Sequence, residues 1–95
     1  MRVRWLALAL RDLEGITDYI AQDSPGAALR MADRIELCVQ GLERHPEQGR
    51  AGRVSSTREL VVTSTPYLVV YRLNTQSVDI LRVLHGAQQW PPGGS

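Results

Sequence analysis

Six side chains in the second half of the sequence have the types that phosphodiester chemistry needs: Arg58, Tyr67, Tyr71, Arg72, Arg82 and His85. Arginines can stabilise charge developing on a phosphoryl oxygen, and a histidine or tyrosine can carry the proton. Each also has an ordinary structural alternative. Arg72 can pair with Asp79, Arg58 can pair with Glu59 or a helix acid, and the tyrosines can edge a core with their hydroxyls in water. Other chemistries lack their residues. His45 and His85 stand without cysteines or carboxylates at ligand spacing, so no metal site and no cofactor is read. Gly49-Arg50-Ala51-Gly52 lacks the lysine and the strand-to-helix context of a phosphate loop, and no Gly-x-Ser-x-Gly elbow occurs. Every basic residue is arginine, so no lysine can serve as base or Schiff-base nucleophile.

These six residues must be positioned by the stretch from Thr57 to Trp90, which reads as three strands. Thr57 to Val62 is the first. Pro66 breaks the chain by removing a donor and restricting Thr65. Tyr67 to Leu73 is the second strand, Asn74 to Ser77 a polar loop, and Val78 to Leu84 the third. Short connections predict antiparallel neighbours. A four-residue loop sets Leu73 opposite Val78, Arg72 opposite Asp79, Val69 opposite Arg82 and Tyr67 opposite Leu84. One face then carries Tyr67, Val69, Tyr71, Arg82 and Leu84, and the other Leu68, Val70, Arg72, Asp79, Leu81, Val83 and His85. Both are largely apolar, so both want cover.

The remaining elements can cover one face. Met1 to Trp5 alternates as a short edge strand does. Ala9, Leu13, Ile16 and Ile20 repeat at the spacing of a helical face, with Asp12, Glu14 and Asp18 expected in solvent. Ser24 suits an N-cap and Pro25 the first position of a second helix. Its buried stripe is Ala28, Met31 or Ala32, Ile35, Cys38 or Val39, and Leu42. His45 to Ser56 reads as a connector, or alternatively as a basic lip carrying Arg50 and Arg53 for an anionic partner. Trp90 is too large and apolar to dangle, so it folds back or meets a partner, whereas Pro91 to Ser95 reads as frayed.

The expected architecture is a single α+β domain over 1–95: a strand at 1–6, a helical hairpin at 7–44, a loop at 45–56, a three-stranded antiparallel sheet at 57–85, and a tail at 86–95. Net charge is +1, which gives no global field toward nucleic acid or membrane. Cys38 is the only cysteine, so a cytoplasmic setting is expected. No apolar run is long enough to span a membrane.

Three motifs in order carry a family resemblance. They are Ala9-x-x-Asp12-Leu13-x-x-Ile16-x-x-Tyr19-Ile20, then His45-Pro46 followed by Gly49-Arg50, then Thr57-Arg58-Glu59-Leu60-Val61 with Tyr67 to Arg72 and Ile80 to Gly86. Together they resemble the ParE/RelE superfamily of toxins from bacterial type II toxin–antitoxin pairs, over nearly the whole chain. The resemblance implies a RelE/ParE-like fold, with a short strand and a two-helix hairpin packed on one face of a small antiparallel sheet. It also implies a cognate antitoxin as partner. One branch, RelE-like, cuts mRNA on the ribosome; the other, ParE-like, poisons DNA gyrase and is not known to cleave anything.

The residues favour the second branch. The ribonuclease branch typically places an arginine after the tyrosine that opens the central strand, where this chain has Leu68. It has a basic run and often a tyrosine after the last strand, where this chain has Gly86-Ala87-Gln88-Gln89-Trp90. The expected function is therefore a gyrase-directed, ParE-like toxin with no catalytic residue, no membrane partner and no direct DNA binding of its own. Its antitoxin- or target-binding residues are expected among Leu68, Val70, Arg72, Leu81, Val83, His85 and Trp90, on the open face and the tail. The first alternative is a ribosome-dependent mRNA endonuclease using Arg50, Arg53, Arg58, Arg82 and His85. The second is a non-toxic relic that only binds an antitoxin.

Overall fold

Ser24 ends one helix and starts the next: its Oγ accepts from the Ala27 N–H at 3.1 Å, and Pro25 follows where the missing N–H costs nothing. On either side lie α1 (Ala7–Ala21) and α2 (Pro25–Gln40), extended by a 3₁₀ turn at Gly41–Glu43. The structure, a computed structural model, describes residues 1–93. Gly94 and Ser95, part of the tail expected to fray, lie outside the described residues. No helix among the described residues is long and apolar enough to cross a membrane.

The sheet has five strands in the order β1-β5-β4-β3-β2, with β1 at Arg2–Trp5, β2 at Arg50–Ala51, β3 at Arg58–Val61, β4 at Tyr67–Leu73 and β5 at Ser77–His85. The α+β class and the helical hairpin are as expected, but the sheet is larger and mixed. β1 pairs in parallel with β5, from Arg2 opposite Ser77 to Trp5 opposite Ile80. The helices supply the crossover that a parallel pair requires. β2 arises inside the expected loop, where Arg50 and Ala51 pair with Glu59 and Arg58.

The register of β4 on β5 starts as expected and then departs. Leu73 faces Val78, Arg72 faces Asp79 and Tyr71 faces Ile80. Val70 then faces Arg82, so Leu81 is an extra residue and the strand bulges. Beyond it Val69 faces Val83, Leu68 faces Leu84 and Tyr67 faces His85, which replaces the expected Val69–Arg82 and Tyr67–Leu84 pairs. The bulge falls where β1 stops. There α1 takes over as the neighbour of β5, and the Asp12 carboxylate accepts from the Val83 N–H at 2.9 Å. Asp12, expected in solvent, is instead the group that closes this edge.

The bulge exchanges the two faces. Val83 joins the helix-side core with Ala9, Ile35, Val39, Leu42, Val69, Tyr71 and Ile80. Leu84 crosses to join Leu68 and Val70 on the far side. Of the expected α2 stripe, Ala28, Ile35, Val39 and Leu42 are buried. Met31 and Cys38 are half-buried against the core, and burial pushes the Cys38 thiol up, away from thiolate.

Candidate functional site

The far face of the sheet, expected to lie open for a partner, is largely covered by the chain itself. Leu68, Val70 and Leu84 are buried, and Leu81 and Trp90 pack against them. Trp90 stacks on the Arg82 guanidinium, 5.6 Å from ring centroid to Cζ, and its carbonyl accepts from Arg53 at 3.4 Å. Its indole N–H has no hydrogen-bond acceptor among the described residues. The face is thus roofed by the tail, and Leu81→Asp would place a charge beneath that roof rather than on an exposed surface.

The four arginines of the ribonuclease alternative are each engaged within the chain. Arg82 donates to both Asp12 oxygens, at 2.7 and 3.0 Å, and that bonding raises its already high pKa. Arg53 donates its backbone N–H (2.8 Å) and its guanidinium (3.1 Å to Oε1) to Glu59, and Arg50 stands 3.6 Å from the same carboxylate. Burial alone would raise the Glu59 carboxyl; the Arg53 bonds and the charges of Arg53 and Arg50 outweigh it and hold it below the usual range. Arg58 pairs with neither Glu59 nor a helix acid. Its guanidinium donates to the carbonyls of Glu47 (3.2 Å) and Gly49 (2.7 Å).

His85 lies opposite Tyr67, with the rings T-shaped at 5.6 Å. Its Nδ1 accepts from the Ala87 N–H at 3.0 Å. Arg82 and His85 are on opposite faces, each on the face opposite to the one expected, because both lie beyond the bulge.

Arg72 keeps its register opposite Asp79 but not its ion pair. Asp79 is 2 % exposed and accepts from Arg4 at 2.9 and 3.0 Å, from Ser77 Oγ at 2.9 Å, and from Asn74 Nδ2. The Arg4 bonds, working against burial, hold its carboxyl below the usual value. Arg72 is exposed and makes no salt bridge among the described residues. Arg4 was invisible as a partner because it belongs to β1, and nothing local announces that β1 lies beside β5.

Tyr71 is fully buried and serves the loop rather than chemistry. Its hydroxyl donates to Pro46 O and accepts from the Gly49 N–H, both at 2.8 Å, and burial raises its pKa. A Cβ at position 49 would lie 2.7 Å from that hydroxyl, which is why glycine stands there. Tyr71→Phe strands two backbone groups and is expected to cost about 1–3 kcal/mol. A urea titration checks it: an unchanged midpoint would mean that the loop is not held by this hydroxyl.

Among the described residues no cluster of three His, Cys, Asp or Glu side chains could hold a metal ion. The sequence reading missed Glu59, Asp12 and Arg4 as organising groups. A carboxylate inside an apolar strand, as Glu59 and Asp79 both are, was the available signal, since such a group must find a cation or several donors.

The geometry can be set beside known proteins. A family model described as the ParE toxin of type II toxin–antitoxin systems, parDE, matches residues 3–90. The chain is 48% identical over 90 residues to the putative toxin Y4kP of Sinorhizobium fredii, covering 95% of this chain and 93% of that one. It is 42% identical over 87 residues to toxin RelE2 of Caulobacter vibrioides, covering 92% and 97%. Among solved structures, a chain of the chromosomal ParDE system from P. aeruginosa superposes with a TM-score of 0.81 at 27% identity, covering 90% and 95%. A chain of the RelBE2 toxin–antitoxin complex from Mycobacterium tuberculosis gives 0.57 at 26% identity, covering 88% and 95%.

Proposed function

This chain belongs to the ParE toxin family of type II toxin–antitoxin systems, and from that premise we propose that it inhibits growth by poisoning DNA gyrase and is neutralised by a cognate antitoxin. The observation that carries the choice of target is that its arginines are already engaged within the chain. Metal-free phosphodiester cleavage needs a base, an acid and preorganised positive charge around one phosphate. Here Arg82 is held by Asp12, Arg50 and Arg53 share Glu59, Arg58 serves backbone carbonyls, and His85 lies on the face opposite Arg82. Losing one stabilising donor typically costs about a hundredfold or more in rate, and Arg82 and His85 are held on opposite faces of the sheet.

What favours the rival is the RelE name carried by two relatives, which makes a ribosome-dependent mRNA endonuclease the second reading. The surface offered to the antitoxin or target includes Arg72 and Trp90, which reach solvent; His85 is also exposed but lies on the helix side of the sheet. Leu68, Val70 and Leu81 shape that surface from beneath Trp90, whereas Val83 faces the helices.

Purified protein should inhibit gyrase supercoiling and leave mRNA on translating ribosomes uncut by primer extension. Discrete cuts at defined codons with undisturbed supercoiling would reverse the assignment. Unimpaired growth on expression without an antitoxin would support the relic.

A further inference from the structure

Charge is sorted between the two sides of this molecule. Arg4 and Arg72 both lie opposite Asp79, Arg2 lies opposite Ser77, and Val70 lies between Arg82 and Glu59, itself opposite Arg50. Residues opposite one another point to the same side of a sheet, so these five arginines share the far face. Arg53 joins them through its bonds to Glu59. The carboxylates of that face lie beneath the cations: the side chains of Asp79 and Glu59 are 2% and 1% exposed, those of Arg4, Arg50 and Arg53 49%, 67% and 43%. Arg2 and Arg72 are exposed and form no salt bridge among the described residues. Solvent on this side therefore meets guanidinium. The exposed carboxylates Glu14, Asp18, Asp23, Asp33, Glu36 and Glu43 belong to the helical hairpin and its turns. A net charge of +1, the ground for expecting no field toward nucleic acid, conceals this sorting.

We propose that the far face docks on the phosphate backbone of duplex DNA, the material on which gyrase works. Naming DNA as the polyanion rests on the gyrase reading. From β1 to β2 the face crosses the whole sheet, roughly 19 Å, enough to reach phosphates on both sides of a groove about 12 Å wide. Arg4 spends its Nε and one terminal nitrogen on Asp79, which leaves the other for a phosphate oxygen. Engagement that keeps these arginines from gathering around one phosphate thus does not stop them from touching several. A single strand fits less well, because it needs exposed rings on which bases can stack. Tyr67 and Tyr71 pack on the helix side, Tyr19 lies on α1, and Trp90 is already laid against Leu68, Val70 and Leu84 with Arg82 on its ring. Contacts to phosphates carry no sequence information, so the docking is indifferent to sequence.

The test is fluorescence anisotropy of a short labelled DNA duplex of arbitrary sequence, with the purified full chain at rising salt. The logarithm of affinity should fall with that of salt at a slope of roughly −3 to −4, as about four phosphate contacts predict. Arg2→Glu combined with Arg72→Glu should lower affinity by roughly tenfold or more at low salt and flatten the slope by roughly two. Arg11→Glu combined with Arg30→Glu makes the same change in net charge on the helices and should leave the slope unchanged. All four arginines are exposed and outside the salt bridges among the described residues, so neither variant removes a buried contact.

Unlabelled duplex should displace the labelled one, and single-stranded RNA of the same length should not at equal concentration. No binding at low salt, equal weakening by the two double variants, or displacement by the RNA overturns the proposal. The binding assay contains no gyrase, so its failure leaves the choice of target untouched. A chain that binds the duplex through this face and leaves supercoiling undisturbed would remove the gyrase reading while the DNA contact stands.

Discussion

Arg4→Met is expected to destabilise the protein more than Asp79→Asn, although the two residues form one ion pair. Asp79 is buried and Arg4 has half of its side chain in water. Removing Asp79 lets the guanidinium solvate itself. The loss is then the charged acceptor of Ser77 and Asn74, about 1–3 kcal/mol. Removing Arg4 leaves a carboxylate in the sheet with only neutral donors, the more costly half of any such pair.

Both variants should also flatten the loss of stability at acid pH. In the wild type the folded pKa values of Asp79 and Glu59 are depressed below the unfolded ones. Their contribution is complete above the unfolded values, near 4, and is lost as pH falls through the folded ones. Asp79→Asn removes part of this acid-side loss. Arg4→Met removes the largest cause that lowers the Asp79 carboxyl, so its folded pKa rises from the wild-type one and its share of the acid-side loss shrinks. Urea titrations from neutral to acid pH measure this directly. Equal midpoints for the two variants at neutral pH would show that Arg4 is not what neutralises Asp79.

A chain ending at Gln88 is expected to stay folded and to lose growth inhibition. The helix-side core does not include Trp90, and Asp12 holds Arg82 independently of the tail. Truncation uncovers Leu68, Val70 and Leu84, a cost on the order of 1.5–3 kcal/mol for the lost Trp90 burial. The unsatisfied indole N–H offsets part of what that burial contributes, which argues that Trp90 is retained for more than stability. Circular dichroism melting gives the first half of the prediction and plate growth the second. Full toxicity from the folded, truncated chain would remove the tail from target binding.

Apart from β2, the sequence carried the strands and helices and their order because each has a local cause: Ser24 and Pro25 at the helical turn, Pro66 between strands, the apolar period of α1. It did not carry the bulge at Leu81, since both sheet faces are apolar there and a one-residue shift leaves the pattern looking the same. That single residue moved Arg82, Val83, Leu84 and His85 to the faces opposite those expected. Arg4 and Arg72 are equally good partners for Asp79 until β1 is placed, and placement is set by packing across the sheet. Trp90 was legible as an anchor; that it would roof Leu68, Val70 and Leu84 depended on their being an uncovered face in the first place.

The position of β5 between β1 and β4 also bears on when this protein can first act. The Arg4–Asp79 pair joins residues 75 apart in sequence, so β5 is made late while its parallel neighbour β1 is made first. A nascent chain with α1 and α2 complete still lacks the surface on which both pack. Non-local closure of this kind is slow relative to helix formation, and during synthesis it leaves β1 waiting unpaired. The local pairs of β2 with β3 and β3 with β4 can form before β5, but β1 cannot join the sheet until Ser77–His85 is made. Until then Asp79 and its cation Arg4 are unmet, so the parallel edge is the last part of the sheet to close.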